Sequence, residues 1–285
     1  MKIPKGGIAF FDSGIGGLTV LAACRKYLPD ELFYYYGDNL HAPYGNLPPQ
    51  KIRRYMQKAF IKFKRLKVRA AVIACNTATA VCIDELRKKY TFPIIGTEPA
   101  VFEAVKHGGE VFVLSTRATY ESERFKMLCK NAQEAYPMAK LSLHPCDGLA
   151  GDIEKNLRKK GYKFVHHFPA GKPDVVVLGC THYIYIEEEI QSFYRCPVVH
   201  GNDGVARHLF SVLKGTATTT KLKKVQIIRD KRPCLTTRRW KCKKNAKKQA
   251  KQSRKWTKFD SIYFLGTGQV VNKIQYEQMF ACKNV

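Results

Sequence analysis

Short runs of apolar and β-favouring residues alternate with longer segments whose apolar positions recur at helical spacing. The short runs lie at 7–11, 32–36, 70–74, 93–95, 111–114, 175–178 and 197–199, and each predicts a buried strand. The helical patterns lie between most of them, at 18–27, 50–66, 79–90 and 120–134. Because strands that alternate with helices form βαβ units, the pattern predicts an α/β protein with mainly parallel sheets that are covered on both faces.

Polar or glycine-rich residues follow five of the predicted strands. These loops lie at 12–17, 37–38, 75–77, 115–116 and 179–182. In open parallel sheets, the loops at the carboxyl ends of the strands form the ligand crevice. We therefore expect the five loops to converge on one or two clefts.

Two of these strand ends resemble each other. Segments 71–77 (AVIACNT) and 176–182 (VVLGCTH) each run from an apolar strand through a small residue to a cysteine, and the two cysteines are 105 residues apart. This repeat predicts two similar α/β halves, each offering one cysteine. At a strand-to-helix turn, backbone N–H groups and the helix dipole lower the pKa of a thiol toward neutrality. Cys75 and Cys180 therefore fit either a catalytic pair or two structural residues, and His182 is near enough to Cys180 to exchange a proton in the same pocket.

The loop at 12–17 (DSGIGG) lacks the lysine of a Walker motif and the three-glycine spacing of a dinucleotide fingerprint. Its glycines allow a tight turn, and Ser13 offers a hydroxyl near a helix N-terminus, where a small carboxylate can bind. Asp12 repels an anionic ligand unless it handles a proton or binds an ammonium group, which indicates a substrate with both charges. A simple helix cap explains Asp12 equally well.

The composition is that of a globular protein, with 285 residues, 45% hydrophobic and 26% charged. No apolar run approaches the roughly 20 residues that span a bilayer, and the start of the chain carries no signal-peptide core. We therefore expect a soluble, cytoplasmic protein without a membrane segment. The ten cysteines show none of the short paired spacings of a zinc site, so reduced thiols are expected.

The net charge of +27 is concentrated in one segment. Residues 221–258 contain 17 lysines and arginines against a single acid, Asp230, and hold both tryptophans, Trp240 and Trp256. Basic residues interleaved with aromatic ones can bind nucleic acid by phosphate contact and stacking. A solvated basic insertion is the more frequent explanation of such a segment, and we favour it. The charge therefore does not define the class of the whole chain.

Four segments together resemble the glutamate racemases, which are cofactor-independent amino-acid racemases of bacterial cell-wall synthesis. They are 11–18 (FDSGIGGL), 37–38 with 43–45 (GD and PYG), 74–78 (ACNTA) and 178–183 (LGCTHY). The resemblance covers residues 7 to about 213 and resumes near 259, where 267–268 (TG) match the closing strand. It implies two α/β domains that face each other across a central cleft. The first domain would comprise 1–97 and 208–285, with the basic insertion at about 218–258, and the second 98–207.

The resemblance also implies roles for individual residues. Its catalytic pair corresponds to Cys75 and Cys180, with Asp12 assisting the first and His182 the second, and Glu154 lies near the active site. The substrate-holding residues that it implies are Asp12, Ser13, Tyr44, Gly45, Asn76, Thr77, Thr181 and His182. It implies glutamate as substrate, neither cofactor nor metal, a homodimer, and a supply of D-glutamate for peptidoglycan.

The chemistry gives a reason for two thiols. Inverting an α-carbon requires a base on one face and an acid on the other, and a thiolate with a thiol supplies both at similar pKa. The resemblance further implies that Cys75 acts on the D enantiomer and Cys180 on the L enantiomer.

Two other functions compete with this interpretation. The first is an aspartate racemase or another amino-acid racemase of the same superfamily, although His182 favours glutamate because the aspartate enzymes tend to carry a glutamate there. The second is a protein that binds nucleic acid or a partner through 221–258. One departure lies beside the site, where Ile184 and Tyr185 replace the usual Pro-Leu, and we expect it to change packing.

Overall fold

The computed structural model describes residues 5–216, 257–259 and 262–266, which include ten strands and nine α-helices. The strands are β1 (Ile8–Asp12), β2 (Phe33–Gly37), β3 (Ala70–Ile73), β4 (Ile94–Gly96), β5 (Gly109–Ser115), β6 (Ala139–Pro145), β7 (Val175–Gly179), β8 (Val198–His200), β9 (Thr257–Phe259) and β10 (Ile262–Gly266). The helices are α1 (Gly17–Tyr27), α2 (Pro49–Arg65), α3 (Asn76–Lys89), α4 (Val101–Val105), α5 (Arg117–Tyr120), α6 (Glu123–Ala135), α7 (Leu149–Asn156), α8 (Glu187–Tyr194) and α9 (Asn202–Thr216). Short 3-10 helices lie at Asn39–His41, Tyr44–Asn46, Val165–His167 and Tyr183–Ile186.

The strands form two sheets. The first has the order β4-β3-β1-β2-β10-β9 and is parallel except for β9, which pairs with β10 in the antiparallel direction. The second has the order β6-β5-β7-β8 and is parallel throughout. The predicted α/β class, with two parallel-sheet halves, is confirmed.

The central strands of each sheet are buried on both faces, and β1 shows how its sequence achieves this. Ile8 and Phe10 join a core with residues of α1 and α9, whereas Ala9 and Phe11 join a second core with residues of α2 and α3. In the second sheet, alternate residues of β5 divide between two cores in the same way. Because both faces need apolar side chains, these strands appear in the sequence as continuous hydrophobic runs.

One predicted helix begins later in the structure than the pattern indicates. The spacing predicts a helix over 120–134, whereas α5 ends at Tyr120 and a separate helix, α6, begins at Glu123 and ends at Ala135. Ser122 causes the break because its side-chain oxygen accepts a hydrogen bond from the Phe125 N–H at 3.2 Å, which makes Ser122 the N-cap of a new helix.

The sequence pattern failed to predict β6. This strand lies at an edge of the second sheet, and most of its residues are only partly buried. Polar Lys140, Ser142 and His144 alternate there with Leu141 and Leu143, which is the pattern of a half-buried strand rather than of a continuous apolar run.

The chain returns to the first sheet near its C-terminus, where β10 lies parallel to β2 with Gly266 opposite Gly37. The residues 267–268 of the expected closing strand and most of the basic segment 221–258 lie outside the described residues.

Candidate active site

The carboxyl ends of three strands bring the candidate residues together. Asp12 is the last residue of β1, Cys75 follows β3 by two residues, and Cys180 follows β7 directly. Loop 12–17 of the first half touches the second half, since the Ile15 N–H donates to Glu154 Oε1 at 3.2 Å. The Tyr185 hydroxyl also donates to the Ile15 carbonyl at 2.8 Å, so this departure from the racemase pattern adds a contact across the cleft.

Cys75 lies at the start of α3 and is 6% exposed. Its Sγ accepts a hydrogen bond from the Ala78 N–H at 3.5 Å and donates one to Ser13 Oγ at 3.7 Å. Burial and the nearby charge of Asp12 raise the pKa of Cys75 to about 12, with a smaller increase from Cys180. The expectation that the turn lowers this thiol pKa is therefore wrong, because burial outweighs the Ala78 N–H. Cys75 is a protonated thiol at neutral pH.

Asp12, whose charge acts on Cys75, is completely buried. Its Oδ2 accepts a hydrogen bond from the Gly14 N–H at 2.9 Å, whereas Oδ1 has no hydrogen-bond partner among the described residues. Burial raises the pKa of Asp12, and the charge of His182 together with the N–H groups of Gly14 and Gly17 opposes that increase only in part. This carboxyl group is suited to take up a proton or to bind a cationic group through Oδ1.

Cys180 has a different environment, although it is equally buried at 7% exposure. Its Sγ lies 3.7 Å from His182 Nδ1, and His182 Nε2 lies 2.7 Å from Glu154 Oε1. Burial by itself lowers the pKa of His182, but hydrogen bonds with Cys180 and Glu154 and the charge of Glu154 raise it well above its usual value. The pKa of His182 therefore favours the imidazolium form, in which Nδ1–H faces Cys180 Sγ and Nε2–H faces Glu154 Oε1.

Glu154 completes this chain of three side chains. It lies on α7, and burial would raise the pKa of its carboxyl group. The hydrogen bond and charge of His182, together with the Ile15 N–H, hold that pKa below its ordinary value instead. The two thiols thus have opposite partners, because a carboxyl group adjoins Cys75 and an imidazolium adjoins Cys180.

The other predicted substrate-holding residues are buried around the two thiols, but their polar groups differ in availability. Thr77 Oγ1 lies 2.9 Å from Thr116 Oγ1 and 3.3 Å from Thr119 Oγ1, so its hydroxyl bonds to the second half of the molecule. The Tyr44 hydroxyl donates to Asp38 Oδ2 at 2.5 Å. Thr77 and Tyr44 therefore support the walls of the site in this structure. The remaining candidates in this group are Ser13, Gly45, Asn76 and Thr181, and their side chains or backbone are buried.

The structure explains the glycine at position 16 differently from the tight turn that the sequence of loop 12–17 predicts. Its φ of −57° is an ordinary helical value that any residue adopts. A Cβ atom on Gly16 would lie 2.5 Å from Thr181 Oγ1 and 2.8 Å from His182 Nδ1. Glycine is needed at this position because the two halves approach each other closely, not because the backbone turns sharply.

Sequence reasoning missed several residues that support the site. Asp38 accepts the hydrogen bond from Tyr44 and also bonds to His41 Nδ1 at 2.9 Å, while the His41 ring stacks on Tyr55 with centroids 3.8 Å apart. Thr116 links the halves through Thr77. Asp38 and Thr116 follow predicted strands, so their positions in the sequence indicate that they lie near the site. Nothing in the sequence pattern links His41 to them.

Comparison with known proteins identifies the class of this fold and site. A family model described as Asp/Glu/Hydantoin racemase matches residues 19–209. The chain belongs to the Asp/Glu/hydantoin racemase family and is therefore an isomerase. Within the described residues, no helix has both the length and the apolar character needed to cross a membrane.

Individual relatives narrow the comparison to one kind of racemase. The chain is 40% identical over 217 residues to a glutamate racemase of Clostridium perfringens, which covers 71% of this chain and 81% of that protein. It is 37% identical over 220 residues to a glutamate racemase of Clostridium acetobutylicum, which covers 73% of this chain and 84% of the relative. The crystal structure of Escherichia coli glutamate racemase with L-glutamate and the activator UDP-MurNAc-Ala superposes with a TM-score of 0.66 at 28% identity, covering 74% of this chain and 83% of that one.

Proposed function

We propose that the protein is a glutamate racemase that interconverts L- and D-glutamate by proton transfer at two cysteines. The observation that carries the proposal is the opposite electrostatic environment of two buried thiols, Cys75 beside Asp12 and Cys180 beside His182. Identities of 37–40% to glutamate racemases support the choice of substrate. Aspartate is the alternative substrate.

The proton transfers follow from these environments. In the L-to-D direction, the Cys180 thiolate removes the α-proton of L-glutamate, and the electron pair of the C–H bond stays on the α-carbon and its carboxylate. The Cys75 thiol then delivers its proton to the opposite face of the carbon. The reaction leaves a Cys180 thiol, a Cys75 thiolate and D-glutamate, and the reverse direction exchanges the two roles.

The same residues can hold the charged groups of an amino acid. Among the described residues, Asp12 Oδ1 is a buried acceptor without a partner, which suits the substrate ammonium group. Ser13, Asn76 and Thr181 can donate hydrogen bonds to a carboxylate, and N–H groups at the start of α3 can add to them. Donors directed at the α-carboxylate stabilise the negative charge that develops there when the α-proton leaves.

Deuterium exchange tests the proposal directly. Purified protein is incubated in deuterated buffer with L-glutamate or D-glutamate, while NMR follows loss of the α-proton and polarimetry follows inversion. We expect wild type to exchange and racemise both enantiomers. Cys75→Ser and Cys180→Ser should each lose about 100-fold or more of the racemisation rate, since each lacks one acid or base. Cys75→Ser should retain some exchange of L-glutamate without inversion, and Cys180→Ser some exchange of D-glutamate.

Cys196→Ser is the matched control. Cys196 is a free, partly buried cysteine that precedes β8, so it lies at the opposite end of the second sheet from Cys180, which follows the parallel strand β7. This variant should racemise at the wild-type rate. Wild-type racemisation by Cys75→Ser would contradict the two-cysteine mechanism. Inactivity on glutamate with turnover of aspartate would show that the substrate is wrong and leave the mechanism intact.

The cellular context is part of the same proposal. D-Glutamate from this reaction would supply peptidoglycan synthesis, and the reaction would take place in the cytoplasm, because thiol catalysis requires reduced cysteines. We also propose the domain division 1–97 with 208–285 and 98–207, which the division of the strands between two sheets supports.

Two further proposals concern partners. The protein would form a homodimer, which light scattering coupled to size-exclusion chromatography measures.

Nucleic acid would bind only through the basic segment 221–258, whose charge supports that role. Binding would then weaken steeply with added salt and disappear when the segment is deleted. Salt-independent binding would contradict this role.

A further inference from the structure

Three side chains of types that can bind a metal ion lie close together beside α7, outside the cleft. Asp152 lies in the first turn of that helix, and His166 and His167 lie in the 3-10 helix Val165–His167. One ligand atom from each of the three lies within 4.8 Å of the other two. No pattern in the sequence indicates this cluster, because the aspartate and the histidine pair are 14 positions apart and do not have the spacing of a zinc motif.

The distances fit a tetrahedral metal centre. His167 Nε2 lies 3.2 Å and His166 Nε2 lies 3.5 Å from the same atom, Asp152 Oδ2. Ligand atoms bound to tetrahedral Zn²⁺ at about 2.0–2.1 Å lie roughly 3.3–3.4 Å from one another. Both nitrogen–oxygen separations are close to that value, and the ligand nitrogens of the two histidines lie within 4.8 Å of each other, so a movement of the two rings would accommodate an ion.

Hydrogen bonds from neighbouring side chains also fix the orientation of the Asp152 carboxylate, as is common for metal ligands. The Tyr162 hydroxyl donates to both oxygens of Asp152 at 3.0 Å, and Asn156 Nδ2 donates to Oδ1 at 2.6 Å. Such outer hydrogen bonds orient the ligands of metal sites and contribute to their affinity.

We propose that Asp152, His166 and His167 bind a first-row divalent transition-metal ion such as Zn²⁺, with water in the remaining coordination position. Two imidazoles and one carboxylate are ligands that suit Zn²⁺, Co²⁺ and Ni²⁺. Asp152 and Glu154 are two positions apart on α7 and therefore about 200° apart around the helix axis. The metal is bound on the flank of α7 away from His182, where it ties the residues 162–167 to α7 without entering the cleft.

Titration with Co²⁺ tests the site without an activity assay. Protein dialysed against a chelator is titrated with CoCl₂, and visible absorption reports tetrahedral binding. We expect saturation at one ion per chain, without the intense near-ultraviolet band of a cobalt thiolate. His167→Gln and Asp152→Asn should lose this absorption. His107→Gln, which replaces an exposed histidine outside the cluster, should retain it.

Thermal unfolding provides the second measurement and detects a variant that fails to fold. Zn²⁺ at 100 times its dissociation constant should raise the wild-type midpoint by about 5–10 °C and leave that of His167→Gln unchanged. Equal cobalt binding by wild type and His167→Gln would overturn the proposal. So would the absence of saturable absorption, or a thiolate band that disappears in Cys180→Ser, since the latter would place the ion in the cleft.

Discussion

Gly16 lies very close to Thr181 and His182 of the second half. A substitution at Gly16 therefore tests whether this contact positions the residues of the site. Gly16→Ala adds one methyl group without straining the backbone, because φ is −57°. The new Cβ would lie 2.9 Å from the backbone nitrogen of His182 and 2.8 Å from its ring Nδ1. The Thr181 side chain can rotate away from the methyl group, but the His182 backbone cannot.

The size of the effect follows from these distances. Restoring an ordinary contact of about 3.4 Å requires the turn that carries His182 to move by roughly 0.5 Å. A displacement of about 1 Å in an active site can cost 100-fold in rate, so we expect kcat to fall by about tenfold to 100-fold. Overpacking of this kind costs about 1–3 kcal/mol of stability. The variant should therefore remain folded and lose mainly turnover.

Gly204→Ala is the matched control. Gly204 lies in α9, and a Cβ atom there would meet no atom of the described part of the chain within 4 Å. The control should keep wild-type activity and gain about 0.5–1 kcal/mol, because alanine loses less backbone entropy than glycine in a helix. Polarimetry with L-glutamate gives kcat and KM, and urea unfolding gives stability. If Gly16→Ala matched Gly204→Ala in both measurements, the argument that this contact positions His182 would be refuted.

Three further substitutions test the electrostatics and the support of the site. Glu154→Gln should lower kcat by roughly tenfold to 100-fold, the equivalent of one charge-assisted hydrogen bond. The loss of that carboxylate lowers the pKa of His182, so the alkaline limb of the pH–rate profile should move to lower pH; an unmoved limb would contradict the role of the His182 imidazolium. Asp12→Asn should abolish most activity yet raise the free energy of unfolding at pH 7, because the raised pKa of Asp12 makes its ionised form unfavourable in the folded state. Urea unfolding should show this gain vanishing below the ordinary aspartate pKa of about 3.9, where both folded and unfolded wild type are protonated. Tyr44→Phe should cost about 1.5–3 kcal/mol in urea unfolding, because the buried hydroxyl bonds to the Asp38 carboxylate, and a smaller loss would indicate that water replaces it.

The sequence predicts the position of the site residues where the hydrophobic pattern and the topology of a parallel sheet lead to the same conclusion. Continuous apolar runs predict strands buried on both faces, and strand ends carry the ligand residues in any parallel sheet. These two rules were enough to bring Asp12, Cys75 and Cys180 to one place. The edge strand β6 does not follow the first rule, because it is half-buried and its polar and apolar residues alternate.

The electrostatics of the site depend on contacts that a sequence does not contain. The His182 imidazolium requires Glu154, and Glu154 is fixed in turn by the N–H of Ile15, a residue 139 positions away. The raised pKa of Cys75 depends on its burial and on the charge of Asp12, whereas the local turn alone predicts the opposite direction. The reason for glycine at position 16 is likewise a contact with the other half of the molecule.

The unequal environments of the two thiols have to be reconciled with a reaction whose equilibrium constant is one. Because the equilibrium constant is one, kcat/KM must be the same for L- and D-glutamate. The unequal environments of the two thiols can therefore make kcat and KM differ between the enantiomers only by the same factor. In the proposed mechanism, the form with a Cys75 thiol and a Cys180 thiolate accepts L-glutamate, and turnover leaves a Cys75 thiolate beside Asp12. Two adjacent negative charges are costly in a buried site, and a carboxyl group with a raised pKa relieves the cost by taking up a proton. Asp12 thus makes the D-specific form accessible, just as His182 and Glu154 make the L-specific form accessible.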